Sequence, residues 1–127
     1  NNSNFDVVVA NPPFSVPSFQ NTLQYGSEDF NLFKYLSEKS KEIECLFIER
    51  TKQLLSKNGV VGIIIPTSIL INDSPLHKET RKILFKNFDL HSIVMLNSEA
   101  FMESSQSTCI LFMSKKKKHH LMKQPII

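Results

Sequence analysis

The chain has 127 residues, 41% of them hydrophobic and 21% charged, with 10 Phe but only 3 Gly and 6 Pro. That length suits one domain with a modest core, and the composition excludes disordered, collagen-like and disulfide-scaffold chains. The formal net charge of +3 misleads: residues 115–127 hold five lysines and no acid, while residues 1–114 carry 10 basic against 12 acidic side chains, a net −2. By composition the body is not a basic nucleic-acid-binding surface. Cys45 and Cys109 each lie in an apolar run and are expected as reduced, buried thiols, in keeping with a cytoplasmic protein. The apolar stretch from Val60 to Ile71 is interrupted by Pro66, Thr67 and Ser68 and is shorter than the ~20 residues of a membrane helix, so no membrane association is expected. The chain opens on Asn1, Asn2, Ser3 and Asn4, without an initiator Met or a charged-then-apolar leader, and reads as a piece of something longer.

Phe5 to Ala10 is a short β-branched run stopped by Asn11-Pro12-Pro13, which predicts a strand buried on both faces, as in a parallel sheet. From Phe14 to Ser40 the pattern loosens, although Phe19, Tyr25, Phe30, Phe33 and Tyr35 are spread through it. Ser27 followed by Glu28 and Asp29, with Phe30, Phe33 and Leu36 at helical spacing, permits one short helix there. Two readings of this aromatic stretch stay open: packed loop core, or a lid near Phe14 that touches substrate. Lys41 to Lys57 is the clearest helix, with Ile43, Leu46, Phe47, Leu54 and Leu55 on one face and Asn58-Gly59 as its stop. Glu49 and Arg50 fall on its polar flank, as surface or ion-pair residues. Val60 to Ile65 follows as a second buried strand, completing a βαβ unit with an expected right-handed crossover.

Ser74 and Pro75 form an N-cap and first-turn pair that starts a helix over 75–87, with Leu76, Thr80, Ile83 and Leu84 inward and Lys78, Arg81 and Lys82 on its far side. Two more strands fit Leu90–Leu96 and Thr108–Met113, joined by a polar turn around Glu103 to Ser107. Val8, Leu46, Leu54, Val60, Ile63, Ile65, Ile93 and Leu111 are the expected core. Residues 115–127 form a basic tail, either a solvated end or a phosphate contact. His77, His91, His119 and His120 show no metal-ligand spacing with either cysteine, and no metal site is expected.

The chemistry concentrates in Asn11-Pro12-Pro13-Phe14. In open α/β sheets, ligands bind beyond the carboxyl ends of the strands, where this tetrapeptide lies. Asn11 and Pro12 each precede a proline, which keeps both extended, and the Pro12 ring fixes its own φ. The Asn11 side-chain oxygen and the Pro12 carbonyl can then point into one small space, and two fixed acceptors suit one NH₂ group. Phe14 offers a face on which a flat ring could stack. Drawing both hydrogens of an aromatic amine toward acceptors favours the pyramidal form with an available lone pair and stabilises positive charge developing on nitrogen. A target base in duplex DNA would first have to be flipped out. The chemistry fits methyl transfer to an amino nitrogen, although the tetrapeptide alone also serves as a stiff strand-to-loop turn.

The run from Phe5 through Asn11-Pro12-Pro13-Phe14, the segment Leu46-Phe47-Ile48-Glu49-Arg50 leading to Leu54-Leu55, the strand Gly59 to Pro66 and the stretch Thr80-Arg81-Lys82-Ile83-Leu84 together resemble the catalytic half of N6-adenine DNA methyltransferases. The likeness is greatest to the modification subunits of type I restriction-modification systems and related single-chain enzymes. It extends over residues 5 to 114, and Thr108 to Ser114 looks like that family's closing strand. The resemblance implies a partial Rossmann-like α/β sheet over residues 1–114, with mostly parallel strands, flanking helices and a C-terminal hairpin. It also implies that Asn11 and Pro12 hold the adenine amino group, that Phe14 stacks on the base with Pro13 beside it, and that S-adenosylmethionine donates the methyl group on the Asn11 side. The implied partners are DNA and a specificity subunit or target-recognition domain.

The chain departs from that family in having only Gly26, Gly59 and Gly62, hence no glycine-rich cofactor loop, and one βαβ unit where a doubly wound sheet needs more. The isolated chain is therefore expected neither to bind the donor tightly nor to methylate anything. Leu96 to Phe101 and Ser104 to Ser107 also lack the family's Leu-Pro and glycine turn signals, which bears on the hairpin and not on the chemistry. Two alternatives stand beside the main reading. One is a methyltransferase acting on a protein glutamine amide or an rRNA guanine amine, against which stand Phe at position 14 and the segment Pro66 to Lys86. The other is an inactive docking module.

Overall fold

The structure, a computed structural model, describes residues 5–96 and 106–117. Strand β1 (Phe5–Ala10) leads into a segment with two 3₁₀ turns, Phe19–Thr22 and Asn31–Tyr35, where one short helix was expected. Then come α1 (Ile43–Leu54), β2 (Leu55–Pro66), the single turn α2 (Ser68–Ile71), α3 (Pro75–Asn87), β3 (Phe88–Leu96) and β4 (Thr108–Lys115). No helix among the described residues is long and apolar enough to cross a membrane.

The four strands form one sheet in the order β1-β2-β4-β3, with β1 parallel to β2 and β4 antiparallel to both of its neighbours. Three strands thus run one way and the last returns between two of them. That placement gives β4 two ladders, from Val60 opposite Ser114 to Pro66 opposite Thr108 on one side and, with a register shift between Leu90 and Ser92, from Phe88 opposite Lys115 to Leu96 opposite Thr108 on the other. The expected turn around Glu103 to Ser107 lies mostly outside the described residues, as do residues 118–127 of the basic tail; Lys115 ends β4.

Helix α3 spans the expected residues because its start is capped twice over: the Ser74 hydroxyl accepts the His77 backbone N–H at 3.2 Å, and Pro75 takes the first helical position. Helix α1 is shorter than expected. The chain turns extended at Leu55, and Asn58-Gly59 falls inside β2 at an irregularity, where Phe5 pairs with Leu55 but Val7 pairs with Val60. A side chain at Gly59 would meet the buried Leu55, so the glycine allows close packing there and does not end a helix.

Helices α1 and α3 pack on each other and on one face of the sheet, enclosing Leu46, Ile48, Val61, Ile63, Ile65, Ile83, Leu84, Leu111 and Met113. Among the described residues the opposite face is bare. Val7, Val9, Val60 and Phe112 lie on it, and Val9 is 81% exposed. The expectation that β1 is buried on both faces therefore fails, and Val60 and Ile93 drop out of the expected core. Val60 points away from the helices, whereas Ile93 belongs to the outermost strand, exposed from Leu90 to Met95. Val8 and Leu54 are only half-buried; Leu46, Ile63, Ile65 and Leu111 are core. Both cysteines are free and buried, as expected, and burial pushes the Cys45 thiol up to about 12.

Candidate functional site

Strand β1 ends at Ala10 and delivers the tetrapeptide at its carboxyl end. Alternation along the strand places Val7, Val9 and Asn11 on the bare face, where they line a depression of about 560 Å³ with Val60, Gly62, Ile64, Ile110 and Phe112. Asn11 is exposed, Pro12 is buried, Pro13 is exposed and Phe14 is half-buried. The Asn11 side chain makes no hydrogen bond within the described residues. A free amide on a proline-stiffened strand end can therefore turn both its polar atoms toward a ligand.

The chain leaves the tetrapeptide through Ser15, whose φ of 54° is left-handed, a conformation uncommon for residues other than glycine. The next amide, Val16 N–H, donates to the Lys41 carbonyl at 2.9 Å. Lys41 lies just ahead of α1. Glu44 is 2% exposed, burial pushes its carboxyl up to about 7, and its Oε1 atom has no hydrogen-bond partner.

Farther along α1, Glu49 is also buried and not on a polar flank. Its two oxygens accept the backbone N–H groups of Asn31 and Leu32 at 2.7 and 2.9 Å, satisfying amides that a 3₁₀ turn leaves unpaired. Arg50 is not ion-paired within the described residues. Its guanidinium lies 5.1 Å from the Tyr25 ring centroid and 4.7 Å from that of Phe30, and hydrogen-bonds the Gln53 side chain. With Phe19 and Phe30 buried, the aromatic stretch is packed against α1, as the loop-core reading has it. Periodicity hid these acids because a carboxylate counts as outward-facing in any hydrophobic pattern. The available signal was their spacing: Glu44, Ile48 and Thr51 share one helical stripe, with Cys45 and Glu49 beside it, and all five are buried.

A model of the family N-6 DNA Methylase matches residues 1–127. The chain belongs to the N-6 DNA methylase family. Among curated relatives of this family member, the type II restriction enzyme and methyltransferase RM.Eco57I of Escherichia coli is 34% identical over 116 residues, which is 90% of this chain but 11% of that protein. Among solved structures, the type I restriction-modification system methyltransferase subunit from Streptococcus thermophilus superposes with a TM-score of 0.69 at 24% identity, covering 91% of this chain and 24% of that one. A Listeria monocytogenes protein described as a class I S-adenosylmethionine-dependent methyltransferase gives 0.66 at 21% identity, covering 88% and 32%. These neighbours share the Rossmann-like α/β fold, and this chain spans only a small part of each.

Proposed function

We propose that this chain is the target-base half of an adenine-N6 DNA methyltransferase of a restriction-modification system, the rest of the methyltransferase lying in sequence beyond these residues. The observation that carries the reading is the uncommitted Asn11 amide, held at the carboxyl end of a parallel strand by two prolines and facing an open depression. Family membership and the restriction-modification relatives support adenine in DNA as the substrate over a glutamine amide or an rRNA guanine.

In this reading the flipped-out adenine stacks on Phe14, with Pro13 alongside, which offsets part of the few kcal/mol of unstacking. Asn11 Oδ1 and the Pro12 carbonyl accept the two amino hydrogens. The amino nitrogen becomes pyramidal, takes the methyl group, and sheds one of its two protons once it is cationic. No strong base is needed, because the N–H bond turns acidic only as the new bond forms. The two acceptors face the developing charge without reorganising, since both are set by proline-restricted backbone.

S-adenosylmethionine, when bound, supplies the methyl group. The described residues fit only its methyl end: Asn11 and His91 are the polar side chains lining an otherwise apolar depression, and a bound amino acid and ribose need further polar partners. A specificity subunit or target-recognition domain is the expected partner for reading DNA sequence, and the cytoplasm the expected location. The test is transfer of a labelled methyl group to unmethylated DNA by the full-length protein, with any specificity partner supplied, beside Asn11→Ala. Label recovered as N6-methyladenine and lost in the variant supports the reading; label on protein or RNA instead of DNA overturns it.

A further inference from the structure

We propose that the Ser15 hydroxyl, with the Gln106 amide behind it, binds a backbone phosphate flanking the target adenine, so that the turn after Phe14 holds the flipped nucleotide by its phosphodiester as well as by its base. The inference rests on the function proposed above for residues 11–14.

Ser15 follows Phe14 directly and holds φ at 54°. That conformation is sterically costly for a residue with a Cβ and is the ordinary place for glycine. The Ser15 side chain is exposed, so packing does not offset the strain, and what distinguishes it from glycine is a hydroxyl. Gln106 Nε2 donates to that hydroxyl oxygen across a long 3.5 Å contact, from 91 positions away in sequence. Gln106 stands just ahead of β4, in a segment fastened to the end of β2. There the Thr67 N–H donates to the Ser107 carbonyl at 2.9 Å, the Thr67 hydroxyl donates to the same oxygen at 3.3 Å, and Pro66 pairs with Thr108. With its oxygen accepting from Gln106, Ser15 can donate its own O–H outward, and each hydrogen bond in such a chain strengthens the next.

The order of groups along the turn matches that of a nucleotide. Asn11 and Pro12 take the exocyclic amine, half-buried Phe14 takes the ring, and exposed Ser15 comes next, where the sugar and phosphate of a base stacked on Phe14 emerge. A phosphodiester offers acceptors only, and serine and glutamine side chains are ordinary donors to it in protein–DNA interfaces. A neutral contact also suits residues 1–114, whose net −2 charge provides no general attraction for DNA. Holding the phosphate fixes the pivot about which the base leaves the stack, and small displacements of a bound reactant cost rate.

The experiment uses the full-length protein, with any specificity partner supplied, and duplexes carrying the adenine that the labelled-transfer assay identifies. In a second set of duplexes a neutral methylphosphonate replaces the phosphate on the 5′ or the 3′ side of that adenosine. Wild type, Ser15→Ala, Ser15→Gly, Gln106→Ala and the double variant of Ser15→Ala with Gln106→Ala are titrated for DNA binding, and Asn11→Ala is assayed for methylation beside them. Loss of the Ser15 hydroxyl is expected to weaken binding of the all-phosphate duplex about tenfold, with the KM for the methyl donor unchanged. Ser15→Gly loses as much, although glycine enters positive φ without steric cost. Methylphosphonate at the contacted position weakens wild-type binding by a similar factor and leaves Ser15→Ala and Ser15→Gly unaffected. Gln106→Ala loses about threefold, and the double variant no more than Ser15→Ala, because the amide acts through the hydroxyl. Wild-type affinity in Ser15→Gly overturns the inference. So does an equal methylphosphonate effect on wild type and Ser15→Ala at both positions, and additive losses in the double variant overturn the role given to Gln106. The binding comparison needs no turnover, so full methylation by Asn11→Ala overturns the functional reading separately.

Discussion

Glu49 on α1 accepts the backbone N–H of Leu32, 17 positions earlier, at 2.9 Å, with both residues buried. Its other oxygen takes the neighbouring Asn31 amide, so one carboxylate ties the aromatic segment to the helix at two points. Removing it leaves a buried donor without a partner. Glu49→Ala is therefore expected to destabilise the protein by about 2–4 kcal/mol and to open the Phe19–Tyr35 segment to limited proteolysis. A urea titration with fragment mapping checks both, and an unchanged midpoint would show that the amides find other acceptors.

Arg50 stands between Tyr25 and Phe30 with no carboxylate partner within the described residues. Its contribution is then stacking more than ion pairing, and its stability should resist salt. Arg50→Ala is expected to cost about 1 kcal/mol. The same loss should appear in denaturation at low and at high ionic strength, whereas a loss confined to low salt would argue for an ionic role.

Gly59 sits where an added Cβ would come within 2.6 Å of Leu55 Cγ and 3.1 Å of the Phe5 carbonyl oxygen. Leu55 is fully buried and has little room to retreat. Gly59→Ala should thus overpack the β1–β2 junction and cost about 1–3 kcal/mol. The melting temperature measures this, with Gly62→Ala as control, since its nearest contact would be an ordinary 3.6 Å to Phe112.

Glu44 links stability to pH. Burial raises its carboxyl from an ordinary value of 4.5 to about 7, so between those values the folded state keeps a proton that the unfolded state has lost. Stability from this group is present below pH 4.5, falls as pH rises through the window, and is gone above about 7, a change on the order of 3 kcal/mol at most. Glu44→Gln, which cannot ionise, should flatten that part of the stability profile and be the more stable protein at pH 8. Denaturant midpoints at pH 5 and pH 8 for both proteins provide the check.

The isolated 127-residue chain is expected not to bind S-adenosylmethionine tightly. Asn11 and His91 are the polar side chains on an otherwise apolar depression, too few to hold a charged amino acid and a ribose. Calorimetric titration giving micromolar affinity would sink this expectation.

Much of this protein can be read from its residues in order. The β-branched run of β1, the two prolines after Asn11 and the cap of α3 are local instructions, set by steric limits on φ and by hydrogen bonds within a few residues, and they stand where the sequence places them. The exposed, uncommitted Asn11 follows from the same local logic.

Tertiary structure alone decided the rest. Val60 and Val61 are identical in chemistry, yet one is 48% exposed and the other 4%, because an unbroken apolar run carries no phase and only the position of α1 and α3 chooses its inner face. Leu55, at the end of a helical pattern, went to β2 because pairing with Phe5 and packing on the core outweigh a weak local preference. Glu49 turned inward because distant amides, at Asn31 and Leu32, needed acceptors there. A one-dimensional pattern records which side chains avoid water, but the partners that make a buried charge tolerable come from chain segments brought together only by folding.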